Sequence, residues 1–188
     1  MFTQTHRLLA YHIHSHIKTH LHYELNMATF SWGSIKPDIV PSLALRKHEK
    51  EDSFSFLTER IVRLMKLHPH CLQDERKRRH IESELGIICH FLTDFFCFTH
   101  TQRCPFKHGM FSHIRYESSL HKLAKQLPKI EPVPLPVLSG KSFVDIERFL
   151  QEALSEYEQK QNVKRDIMYA VSVCIRIVFS YPYCHFLK

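Results

Sequence analysis

The chain has 188 residues, 44% of them apolar and 24% charged, with a formal net charge of +7. That length suits one domain with a real core, and the composition excludes wholesale disorder. The positive charge favours anionic partners, whether nucleic acid, another phosphodiester or an anionic membrane surface, without choosing among them.

Only 4 glycines occur, while Leu, Lys, Glu and Arg are plentiful, which predicts mostly helix. Residues 1–20 hold no uninterrupted apolar run and no small-residue cleavage site, so a cytoplasmic chain is expected. Leu8, Leu9, Ile13, Ile17 and Leu21 form an apolar stripe that predicts a first helix over 6–24, capped by Thr3 or Thr5. His12, His16 and His20 recur every four residues, but His14 and His22 interrupt any unique face, so this ladder reads as solvated surface. Residues 27–41 contain Gly33, Pro37 and Pro41 and read as a loop, from which Asp38 can point into a site. Phe54, Leu57, Ile61, Leu64 and Met65 mark an amphipathic helix, with His48 just before it.

The basic run between Asp74 and His80 has no interleaved aromatic residues and reads as a solvated helix start. A buried helix over 81–98 follows, then a loop around Pro105 and a helix over 109–127. The Pro-rich stretch 128–142 does not continue a helix. It separates a ligand-bearing part, 1–127, from a C-terminal part, 143–188, whose helical pair over 143–160 and 163–180 is expected to pack on the same domain. The apolar stretch 167–183 is shorter than the roughly 20 residues that span a bilayer and carries Arg176, so it reads as core helix. Six cysteines without a CxxC are most simply reduced thiols.

Chemistry concentrates between His90 and Glu117. His90 with Asp94, and His113 with Glu117, are each four residues apart, so on helices each pair lies on one face, with His100 between them. Imidazole and carboxylate at that spacing can hold a metal while leaving a position for water. Phe91, Leu92, Phe95 and Phe96 surround Asp94 with apolar sequence, and a metal is one way to satisfy a buried carboxylate. A solvated helix face explains one such pair but accounts poorly for two bracketing a third histidine.

In order and spacing, THRLLA at 5–10, GSIKPD at 33–38, His48, GIICHFLTDFFCFTH at 86–100 and HIRYE at 113–117 resemble the zinc-dependent phospholipase C family. These are all-helical bacterial enzymes whose zinc arrangement is shared with fungal single-strand nucleases. The resemblance implies an all-α, single-domain multi-helix bundle holding two to three zinc ions. One ion would take Asp38, His48, His90 and Asp94; a second would take His100, His113 and Glu117. A third would take His6, Asp94 as a bridge, and the N-terminal amine and carbonyl, which here belong to Met1. Phe2 disfavours removal of the methionine, and an α-amine with a reference pKa near 8 can lose its proton to zinc. The resemblance also makes Asp38 the general base.

A phospholipase C-like cleavage of phospholipid by zinc-activated water is the function so implied. A nuclease or phosphomonoesterase using the same cluster is the alternative. Relatives that cleave phosphatidylcholine carry an aromatic residue beside the loop aspartate; Ile39 stands there in this chain, so a choline preference is not expected. A third reading is a structural zinc module made of Cys97, His100, Cys104 and His108, which leaves Asp38, His48 and Asp94 idle.

Overall fold

The computed structural model describes residues 1–20, 25–45, 50–101 and 109–181. Among them are eight α-helices and no strand: α1 (Thr3–His20), α2 (Met27–Ile39), a short α3 (Pro41–Ala44), α4 (Lys50–Met65), α5 (Glu75–Phe95), α6 (Met110–Gln126), α7 (Phe143–Glu158) and α8 (Val163–Ser180). Single 3-10 turns lie at Pro69–Leu72 and Phe98–His100. The fold is the expected all-α bundle.

Helix α5 is central, packed against α1, α2, α4 and α8. From Ile81 to Phe95 nearly every side chain is buried, since neighbours cover it on all sides. Helix α8 is also mostly buried, and α7 offers it one stripe of Ile146, Phe149, Leu150, Ala153, Leu154 and Tyr157. The connector 128–142 is non-helical, as its prolines require. Ser142 and Asp145 form a capping box at the start of α7.

Three expectations are corrected. Residues 27–41 are not a loop, because α2 runs from Met27 to Ile39. Asn26 starts it by accepting the Thr29 N–H at 3.0 Å, and Pro37 falls in its last turn, where one amide hydrogen bond is lost. Gly33 serves packing rather than turning. A Cβ built on it meets the Ser83 carbonyl oxygen at 2.2 Å, and one built on Gly86 meets the Phe30 carbonyl oxygen at 2.3 Å. The two glycines let α2 and α5 cross almost backbone to backbone.

The second correction is at the first helix. Thr3 is already helical and Thr5 is buried within α1, its hydroxyl 3.1 Å from His121 Nδ1; the Phe2 carbonyl accepts the Thr5 and His6 amides instead. The third concerns α5, which begins at Glu75 and ends at Phe95 rather than spanning 81–98. Asp74 caps it by accepting the Arg76 and Lys77 amides, absorbing the basic run into its first turns. At the other end Cys97 is extended, so His100 sits on a separate turn.

Candidate metal centre

Four elements converge on Asp94, whose side chain is fully buried in the last turn of α5. One turn earlier on the same face, His90 places Nε2 3.3 Å from Asp94 Oδ2. From α1, His6 places Nε2 3.3 Å from Asp94 Oδ1, and its ring stacks on that of His90 with centroids 3.8 Å apart. From the 3-10 turn, His100 brings Nε2 to 3.6 Å from Asp94 Oδ1 and 3.3 Å from Glu117 Oε1. Helix α6 supplies Glu117 with His113, whose Nε2 lies 2.8 Å from Glu117 Oε1. His113 is the most exposed of this group.

Hydrogen bonds fix what these groups present. Thr93 Oγ1 donates to the His90 carbonyl, so at 2.8 Å it accepts from His6 Nδ1. His90 Nδ1 lies 2.9 Å from the Ser34 carbonyl, which can only accept. In both rings Nδ1 therefore carries a proton, and Nε2 is the atom that faces the Asp94 carboxylate. Burial, with His90 adding to it against the pull of Asp94, lowers the His6 pKa to about 4, so His6 is neutral and its Nε2 has no hydrogen-bond partner. A buried imidazole nitrogen without a hydrogen bond, 3.3 Å from a buried carboxylate and stacked beside a second imidazole, is a costly arrangement that a cation would relieve. The donor set fits a metal ion.

The second half of the site already contains a positive charge. The Met1 amine lies 2.8 Å from Asp94 Oδ1, 2.6 Å from His100 Nε2 and 3.3 Å from Glu117 Oε1. Burial favours its neutral form, but Asp94, Cys97 and Glu117 outweigh that and raise its pKa to about 11. The ammonium thus stands among these acceptors as a cation would. Burial raises the Glu117 carboxyl, yet His100, the amine and His113 hold it down at about 2. The amine is a more reluctant ligand than its reference pKa implies, because a metal would have to displace a strongly held proton.

Asp38 arrives at the end of α2, its Oδ1 3.7 Å from His90 Nε2 and its buried Oδ2 without a hydrogen bond. The structure thus brings Met1, His6, Asp38, His90, Asp94, His100, His113 and Glu117 into one cluster. His48 lies outside the described residues, as do Cys104 and His108 of the alternative closed site. Donor atoms of His6, His90 and Asp94 lie within 4.8 Å of one another, and so do those of Cys97, His100 and Glu117. Cys97 is fully buried with its thiol raised by burial, 3.1 Å from the Thr99 hydroxyl.

Several supporting residues carry no signal in the sequence. Ser34 acts through its backbone, and Thr93 is hidden in the apolar run. Asp166 of α8 reaches the site's framework from the C-terminal helical pair, which sequence reading assigned to packing alone. Its carboxyl is raised to about 6 by burial, with Phe98, Tyr157 and Tyr116 as opposing donors.

An all-α scaffold that gathers histidines and carboxylates around a buried aspartate forms a donor set able to hold metal ions. The chain belongs to the zinc-dependent phospholipase C family, whose model matches residues 5–164. The match runs through the Pro-rich connector into the start of α8. Neither the comparison with curated proteins nor that with solved structures gives a match. Family and donor set together support a zinc hydrolase.

Proposed function

We propose that this chain is a zinc-dependent phospholipase C, cleaving a phospholipid to diacylglycerol and a phosphorylated head group. One observation carries the reading: His6 and His90, oriented by Thr93 and Ser34, both bring Nε2 to 3.3 Å from the buried Asp94 carboxylate. His6, His90, Asp94 and Asp38 would hold zinc on one side, with His48 as a further ligand from the sequence pattern, and His100, His113 and Glu117 on the other, with Asp94 and the Met1 amine between them. Bound zinc supplies Lewis acidity that ionises water near neutral pH and neutralises phosphate charge.

The chain's own groups then have defined tasks. Asp38, whose buried Oδ2 makes no hydrogen bond, would take a proton from the attacking water. Asp94, shared by both halves, fixes their separation. The Thr93 and Ser34 locks keep the imidazoles in the ligating tautomer without an ordering cost at each turnover.

The family match supports a lipid over nucleic acid, and a groove between α1 and α2, outside the metal cluster, offers an apolar surface. The groove has a volume of about 850 Å³ and is lined by Arg7, Leu8, Tyr11, Trp32 and Ile35 among others. Its apolar and aromatic walls suit an acyl chain. Zinc-loaded protein should release diacylglycerol from mixed phospholipid vesicles faster than it degrades single-stranded DNA. Hydrolysis of DNA with intact vesicles would overturn the lipid assignment.

A further inference from the structure

Asp166 lies in the first turn of α8, fully buried, and its carboxylate collects three donors. Oδ2 accepts the Phe98 N–H at 2.9 Å and the Tyr116 hydroxyl at 2.8 Å; Oδ1 accepts the Tyr157 hydroxyl at 2.8 Å. A buried carboxylate is costly unless its oxygens are hydrogen-bonded, and here they are. What matters is where the donors come from. Phe98 opens the 3-10 turn that ends at His100, and Tyr116 immediately precedes Glu117 on α6. The break after α5 leaves the Phe98 amide without a helical acceptor, and Asp166 provides one.

Building on the metal-centre reading above, we propose that Asp166 is a positioning residue for the half of the site made by His100, His113 and Glu117. One oxygen atom ties the backbone of the His100 turn to the helix of Glu117. It thereby sets the 3.3 Å separation of His100 Nε2 and Glu117 Oε1. The other oxygen accepts from Tyr157 of α7, while both hydrogen bonds to the ligand-bearing segments go to Oδ2. These two arms make the role separable from general structural support. Losing the Tyr116 arm frees α6 from the turn, whereas losing the Tyr157 arm removes a buried hydrogen bond of the same kind and leaves the tie intact.

The test compares zinc-loaded wild type, Tyr116→Phe, Tyr157→Phe, Asp166→Asn and Asp166→Ala. Zinc release to a coloured chelator is measured, and urea unfolding is recorded alongside. In Tyr116→Phe, one fraction of the zinc is expected to be held about 10- to 100-fold more weakly, the range for losing a group that orients a ligand. The remaining zinc should be held as in wild type. Tyr157→Phe should release zinc like wild type even though its unfolding midpoint falls. Asp166→Ala should lose the same zinc fraction, and Asp166→Asn, which keeps an acceptor oxygen, should restore part of it. Equal zinc affinity in Tyr116→Phe and Tyr157→Phe, whether both weakened or both unchanged, would overturn the inference and leave the metal centre standing. A wild-type chain that holds no zinc would overturn both.

Discussion

Replacing Gly86 by alanine sets two physical effects against each other with opposite signs. On helix propensity alone, alanine at a mid-helix glycine stabilises by about 1 kcal/mol. In this structure the new Cβ would lie 2.3 Å from the Phe30 carbonyl oxygen and 2.7 Å from the Ser34 amide nitrogen. The nearer contact is about 1 Å short of the 3.4 Å where ordinary packing begins, and both neighbours are backbone atoms that cannot rotate aside. Helices α2 and α5 would have to part, at an overpacking cost of about 1–3 kcal/mol. Parting by that much also stretches the 2.9 Å contact of His90 Nδ1 with the Ser34 carbonyl beyond hydrogen-bonding range, costing about 1 kcal/mol more. The expected net loss is on the order of 1–3 kcal/mol in urea unfolding. Weaker zinc retention should accompany it, since His90 loses its tautomer lock and Asp38 rides away on α2. A Gly86→Ala chain as stable as wild type or more so, with zinc retained, would refute the crossing and the lock together.

Asp94→Asn removes the carboxylate charge shared by both halves of the site, so zinc retention is expected to drop more than about 100-fold, beyond the range for orienting residues alone; elemental analysis after dialysis reads it. Trp32→Ala opens one wall of the α1–α2 groove and should raise KM for phospholipid vesicles while leaving hydrolysis of a small soluble phosphodiester unchanged. For the metal-free chain, His6 gives a pH signature with a definite sign. Its folded pKa of about 4 lies below the ordinary 6.5, so the unfolded chain binds the proton first. Stability is full above pH 6.5 and declines by roughly 3 kcal/mol as pH falls to about 4. Urea unfolding across that window should show this slope, and its persistence in His6→Gln would remove His6 as the cause.

The helical period made much of the site legible. His90 with Asp94 and His113 with Glu117 do meet as pairs four residues apart, because both segments are helices with those residues on one face. His6 precedes the apolar run and lies near the N-terminus, but its role is legible mainly from order within the family pattern. Gly33 and Pro37 usually signal turns, which is why the sequence around Asp38 reads as a loop. Gly33 instead permits a close crossing with Gly86, a tertiary fact that composition does not carry. Ser34 and Thr93 were invisible for another reason: the first acts through a carbonyl every residue has, and the second through a hydroxyl inside an apolar run. Asp166 stands far from the ligands in sequence and joins them only when α8 packs across α5 and α6.

Zinc content of the purified chain tests the metal centre most directly. Protein stripped with a chelator, reloaded with zinc and dialysed should hold two or three ions per chain. That number should persist in Cys97→Ser and Cys104→Ser and fall in Asp94→Asn. A single zinc, lost with either cysteine and retained in Asp94→Asn, would contradict the cluster around Asp94 and restore the closed structural site.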